Sequence, residues 1–230
     1  GIGWSLLNPI AMTAVFCLVF STILGGGNWK TYAPYLLGGM AVWEFVRNST
    51  TMGCRTFIAN EAYIRQCPLP YGIYPLRTVL GTAIHFLISL AVVVVLLTAL
   101  KGDLSTVAAL PAVLPAVLLV MVFAWAVATL AAFATVYFHD NQHLVEVGSQ
   151  LLFFLTPIMY PESLLRDKGA AFLMDLNPVC VFLDVIRDPL IAGTAPPLLA
   201  YAKAAALTGV TFGLACGTIG WLQKRLIFQL

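Results

Sequence analysis

Charge is what this sequence has least of. Asp, Glu, Lys and Arg make up 10% of its 230 residues, against about 25% in an ordinary soluble domain. A net charge of +2 gives no basic field for nucleic acid. Cysteine is sparse too. Cys17, Cys54, Cys67, Cys180 and Cys216 are odd in number and scattered, which argues against both a disulfide framework and a zinc cluster. His139 and His143 stand four apart beside Asp140, but three ligands of this kind make a weak metal site, and no metal is expected. No stretch reads G-x-x-x-x-G-K-[ST], so the chain has no phosphate-cradling loop and cannot hydrolyse ATP by that route. Gly1 is followed by neither a basic start nor a cleavage site, so no signal peptide is read, and native residues are expected before it.

What is abundant is apolar. The chain is 60% hydrophobic, with a mean hydropathy of +0.92, which marks an integral membrane protein. A helix needs about 20 mostly apolar residues to cross the hydrocarbon layer. Six runs qualify, at about 5–24, 32–58, 75–100, 107–138, 144–160 and 198–222. They are too long and too unalternating for barrel strands. The fold class expected is therefore an all-α integral membrane protein with six transmembrane helices forming a single domain over residues 1–230. The run at 107–138 would be about 48 Å as one helix, so it is expected to tilt or protrude. Basic residues divide evenly between the two sides and leave the orientation open.

The fifth run breaks early. LLFFLTPIMYPESLL (151–165) carries Pro157 and Pro161 four apart, and each removes a backbone donor. Asn177-Pro178 is then a helix start, with Asn as N-cap and Pro at the first position. Val179, Phe182, Leu183 and Ile186 repeat at helical spacing, with Asp184, Arg187 and Asp188 assigned to the wet face. Residues 162–190 thus read as short re-entrant or interfacial helices between the fifth and sixth spans. A soluble cap is the alternative.

Several residues stand out inside or beside the spans. Glu44 and Arg47 lie near mid-span, three apart, so they either face a polar conduit or satisfy each other. Phe16, Phe20, Phe153 and Phe154 could line a glycan path or simply pack. Residues 59–74 form the longest polar interruption, with Glu61, Tyr63, Arg65 and Gln66 available for contacts and Pro68 and Pro70 stiffening the turn. Such a segment can pass a push from a partner. Asp140 and His143 form a second polar turn. His85 is expected to be a satisfied interior histidine. Gly209, Gly213 and Gly217, four apart, permit a close helix approach within or between subunits. Trp4, Trp29, Tyr32, Tyr35, Trp43, Tyr160 and Trp221 are expected to form an interfacial belt.

The order and spacing of GIGWSLLNPI (1–10), YLLGGMAVWEF (35–45), NEAYIRQCPLPYGIYPLR (60–77), FHDNQHLVEVGSQLLFFLTPIMYP (138–161) and LNPVCVFLDVIRDPLIAG (176–193) resemble the membrane subunit of ATP-binding-cassette exporters of lipid-linked polysaccharide. These include O-antigen, capsule and teichoic acid permeases of the ABC-2 type. The resemblance covers nearly the full length. One departure is His139-Asp140, where relatives often carry a basic residue before the aspartate. The resemblance implies a multi-pass protein of the bacterial cytoplasmic (inner) membrane with both termini cytoplasmic and an amphipathic helix before residue 1. It implies a homodimer, each copy binding a separate ATPase subunit that holds ATP and Mg, so the chain itself is no enzyme and carries no cofactor. It places the coupling helix in 59–74, with Glu61, Tyr63 and Arg65, joined by Asp140 and His143, against the ATPase. Pro157, Tyr160, Pro161, Asn177 and Pro178 would shape helices at the outer exit. The substrate would be a lipid-linked glycan. The alternatives are a drug or small-lipid exporter of the same superfamily, an ion-coupled carrier using Glu44, or a membrane enzyme using Asp175, Asp184 and Asp188.

Overall fold

A computed structural model of the chain describes residues 11, 15, 16, 18, 29–66, 69–102, 105–167, 169, 172, 174 and 177–226. The first expected span, 5–24, and Phe20 with it, lies almost wholly outside the described residues. The described residues contain helices and no strand. They are α1 (Trp29–Cys54), α2 (Thr56–Ala59), α3 (Glu61–Gln66), α4 (Ile73–Lys101), α5 (Ser105–Ala108), α6 (Leu110–Tyr137), α7 (Asn141–Leu155), α8 (Ser163–Asp167), α9 (Pro178–Ala192) and α10 (Leu198–Leu226).

Three of these, α4, α6 and α10, are long and apolar enough to cross a membrane. The helix α1 has 26 residues, about 39 Å, but its Gly, Ser, Thr and Asn content leaves it less apolar. The run expected as one span over 107–138 is not a single helix. It breaks at Ala109, between α5 and α6, and Pro111 then occupies the first turn of α6, where a missing donor costs nothing.

The helix α6 is apolar all round, and such a helix belongs at the centre of a bundle or in lipid. Here it touches α1, α4, α7, α9 and α10. Its buried face is rich in alanine, including Ala116, Ala124, Ala128, Ala131 and Ala132, so neighbours approach closely. At Gly53 of α1 an added Cβ would lie 2.8 Å from Ala128 Cα, which means the two backbones touch. Paired hydroxyls join α1 to α4, Ser49 Oγ to Thr82 Oγ1 at 2.7 Å, and α2 to α4, Thr56 Oγ1 to Thr78 Oγ1 at 3.0 Å. Tyr201 of α10 donates its hydroxyl to the Ala112 carbonyl of α6.

Two packing expectations are corrected and one is narrowed. Gly209, Gly213 and Gly217 face open space, with nothing within 4 Å of an added Cβ, so no helix among the described residues uses that approach. Tyr32 and Trp43 are buried in the core rather than lying in an interfacial belt, whereas Trp29 and Trp221 are exposed. His85 is not interior; it lies on the exposed side of α4, because the inward face of that helix is taken by Val79, Ala83, Phe86 and Leu90.

Candidate functional site

Thr156 precedes a proline, which disfavours the helical region for it, and it takes φ −89°, ψ 132°. The helix α7 therefore ends at Leu155 after 15 residues, about 22 Å, and does not cover the 144–160 run expected as a span. The chain continues as irregular backbone. Such backbone is tolerated at membrane depth only where protein or water answers its polar groups, and here side chains from α1 and α9 do so. Tyr35 Oη shares its one proton between the carbonyls of Tyr160 at 2.9 Å and Pro157 at 3.2 Å. Tyr32 Oη donates to Met159 O at 2.6 Å. Arg187 Nη1 donates to Pro157 O at 2.8 Å. Asn177 Nδ2 donates to Thr156 Oγ1 at 2.7 Å, while its Oδ1 accepts from Val179 N and caps α9. Pro157, Tyr160 and Asn177 thus belong to one cluster, while Pro178 starts α9 beside it and Pro161 follows in the same loop.

Arg187 holds the centre of that cluster. Its side chain is 2% exposed, and its Nη2 lies 3.6 Å from Glu162 Oε1. The guanidinium lies 4.1 Å from the centroid of the Tyr35 ring, a stacked cation–π contact. Gly38 leaves room for it: an added Cβ would sit 3.2 Å from Arg187 Cγ. Arg166 shares Glu162 at 3.4 Å. The assignment of Arg187 to a wet face is therefore corrected. The helix α9 is buried on several sides, through Phe182, Leu183, Val185, Ile186 and Leu190, and Arg187 falls one turn after Leu183. Beyond the cluster opens a cleft of about 440 Å³ lined in part by Glu162, Arg166, Asp184, Thr194 and Lys203.

The opposite end of the bundle has its own small core. Phe57, Ile64, Tyr74, Phe133, Val136 and Leu226 pack together, with Phe57 edge-on to Phe133 at 4.9 Å. In the short helix α3, Ile64 enters this core while Tyr63 stays 65% exposed. Arg65 Nε pairs with Glu61 Oε1 at 2.9 Å on the outer face. Trp125 Nε1 donates to Gly72 O at 3.0 Å and ties the segment to α6. Burial, with Tyr74 adding to it, pushes the Tyr71 phenol above its usual range. Arg55 Nε donates to Gln142 Oε1 at 2.7 Å, which brings the turn holding Asp140 and His143 to this same end. His143 faces Glu146 at 3.7 Å.

Between the two ends, Glu44 lies 3.8 Å from Arg47 and also accepts from Asn48 Nδ2 at 3.1 Å. Both of its oxygens are engaged within α1. Arg47 nonetheless borders an apolar hollow of about 250 Å³ with Trp43, Phe123, Val145 and Leu152. Phe153 packs on Trp43 at 5.6 Å, and Phe154, turned outward, meets Phe153 edge-on at 5.5 Å. Phe16 packs against the main core. Of the three that are described, Phe16 and Phe153 pack against the core and Phe154 faces outward, while Phe20 lies outside the described residues.

The ABC-2 type transporter family model matches residues 1–191. The chain belongs to the ABC-2 type transporter family. An O-antigen export system permease protein RfbA of Klebsiella pneumoniae is 26% identical over 193 residues, covering 83% of this chain and 73% of the relative. A second protein of that name and organism is 24% identical over 178 residues, 76% and 67% of the two chains. One from Myxococcus xanthus is 29% identical over 182 residues, 78% and 68% of the two. This ABC-2 protein is a transport subunit and an integral membrane protein.

In this ABC-2 chain the sequence reading found the prolines and Asn177 of the broken end but missed what holds them. Tyr32 and Tyr35 read as interfacial aromatics and Arg187 as a solvated charge. A usable signal was present. Arg187 shares a helical face with Leu183 and Leu190, and Tyr32 and Tyr35 are three apart, hence on one face of α1.

Proposed function

We propose that the chain is the permease half of an ATP-driven exporter that moves lipid-linked polysaccharide across the bacterial inner membrane. The observation that carries this is likeness to three O-antigen export permeases over at least two thirds of each relative. In this reading two copies pair, each bound to an ATP-binding-cassette subunit that holds ATP and Mg. Both termini are cytoplasmic, and 5–24, 32–58 and 144–160 complete six membrane segments. The glycan crosses between the copies. Residues 59–74 receive the ATPase stroke through Glu61, Tyr63 and Arg65, with Asp140 and His143 alongside. The exposed face of α3, backed by Ile64 in a packed core, supports that role, because a push on a well-anchored element travels onward instead of being absorbed. Residues 162–190 shape the exit, and the clamped loop at Pro157 supports it as a fixed rim.

The test is lipid-linked glycan added to the purified permease and ATPase in proteoliposomes. We expect it to raise ATP turnover and move glycan. Exposed ion pairs are worth about 0–1 kcal/mol, so Arg65→Glu should leave the thermal midpoint almost unchanged yet lower glycan-stimulated turnover by tenfold or more, about 1.4 kcal/mol of coupling. Transport that ignores ATP and collapses with the proton gradient would instead favour an ion-coupled carrier.

A further inference from the structure

A second polar site opens on the exposed side of α4, away from the clamped loop. It is a groove of about 540 Å³ between the ends of α1 and α4, lined by Asn60, Arg77, Thr78, Gly81, Thr82 and His85 together with apolar neighbours. Arg77, Gly81 and His85 are four residues apart, so they stack on one face of α4. Gly81 leaves a gap between the other two, with nothing within 4 Å of an added Cβ. Helical side chains lean toward the N-terminus of their helix, so the His85 imidazole leans over the Gly81 turn toward Arg77. Arg77 Nη1 reaches Asn60 Oδ1 at 3.4 Å, a long bond that leaves most of its five donors available. Among the described residues neither Arg77 nor His85 makes an ion pair, and His85 makes no hydrogen bond.

Depth and sign restrict the occupant. Arg77 lies four residues from the start of α4 and His85 twelve, about 6 Å and 18 Å along the axis. The groove therefore runs from the turn at Asn60 inward along the apolar helix α4, where Leu80, Ile84 and Leu87 are exposed beside it. Hydrocarbon offers an imidazole nothing. The lining holds a guanidinium, an imidazole, an amide and hydroxyls but no carboxylate. The cleft at the other end, by contrast, includes Glu162 and Asp184. An anionic head attached to a long apolar tail matches both halves of this surface.

We propose that the groove binds the phosphate of a membrane lipid. Arg77 supplies charge-assisted donors, His85 and Asn60 add N–H groups, Gly81 makes the space, and the tail lies along Leu80, Ile84 and Leu87. In the exporter reading, on which the source but not the site depends, this phosphate is that of the polyprenyl carrier waiting on the coupling-segment side.

The experiment uses the full permease purified with its ATPase, titrated in one arm with a fluorescent polyprenyl diphosphate and in the other with fluorescent phosphatidylglycerol. Polyprenol, which lacks the phosphate, is the control. Saturable binding is expected, weakened about tenfold by Arg77→Gln or His85→Ala and blocked by Gly81→Leu. Preference for the diphosphate identifies the carrier, and preference for phosphatidylglycerol identifies a bilayer lipid; either result retains the site. Gly81→Leu meets open space and keeps the fold, so it decides the matter should another variant unfold. Unchanged binding in Gly81→Leu, or polyprenol binding as tightly as the diphosphate, overturns the proposal. Loss of glycan-stimulated ATP turnover with intact lipid binding would instead remove the export reading and leave the groove standing.

Discussion

Arg187 shows how much one buried charge can organise. Its guanidinium serves a freed carbonyl and a carboxylate from the loop after α7 together with an aromatic face from α1. Taking an ion out of water is costly, so such a group is stable only when all its neighbours are in place. Arg187→Ala leaves Glu162 and the Pro157 carbonyl without it and should cost about 3 kcal/mol, read as a lower thermal midpoint of the purified protein. Tyr35→Phe keeps the stacked ring and loses only the hydroxyl, so its cost should be near 1 kcal/mol. Equal losses in the two variants would mean that the Tyr35 hydroxyl holds the loop as firmly as the guanidinium does.

At the level of helices, legibility followed local chemistry. The prolines at 157 and 161 and the Asn177-Pro178 start act through the backbone of their own segment, so the end of α7 and the beginning of α9 could be read from composition. The run at 107–138 misled because hydropathy carries no information on where a helix interrupts itself, and the break at Ala109 falls inside the unbroken apolar stretch VAALPAV (107–113). Packing partners were less legible still. Glycines four apart marked α10 as a close-contact helix, yet the contact that needs glycine is on α1, at Gly53 against Ala128, where no repeat signals it. Gly53→Ala must push two backbones apart and should cost about 1–3 kcal/mol. Gly213→Ala, facing open space, should be neutral or stabilise by about 0.5–1 kcal/mol. Thermal midpoints of the two variants, measured in the same detergent, check the contrast.

Across the molecule, burial is uneven. α1, α6 and α9 form the dense centre, while α10 contacts few elements and turns most of its surface outward. The free thiols sample this difference: Cys54 and Cys180 are buried and Cys216 is exposed. Burial, with Asp184 and Glu162 adding to it, pushes the Cys180 thiol up to about 12. At pH 8 only about one Cys180 in ten thousand is then thiolate, the reactive form. In a chain carrying Cys17→Ser and Cys67→Ser, a membrane-soluble maleimide should label Cys216 within minutes and spare Cys54 and Cys180 until the protein unfolds. Labelling of Cys180 at the rate of Cys216 would contradict the buried position of α9.

The abrupt end of α7 has a further consequence for the surrounding bilayer. Its 15 residues give about 22 Å of helix, of which only the later part is apolar, where the hydrocarbon layer is roughly 30 Å deep. Lipids along that flank must pinch inward or leave the stapled loop facing acyl chains. We therefore expect a locally thinned patch beside α7, where lengthening the acyl chains by a few methylenes should raise the strain before it is felt at α4 or α6.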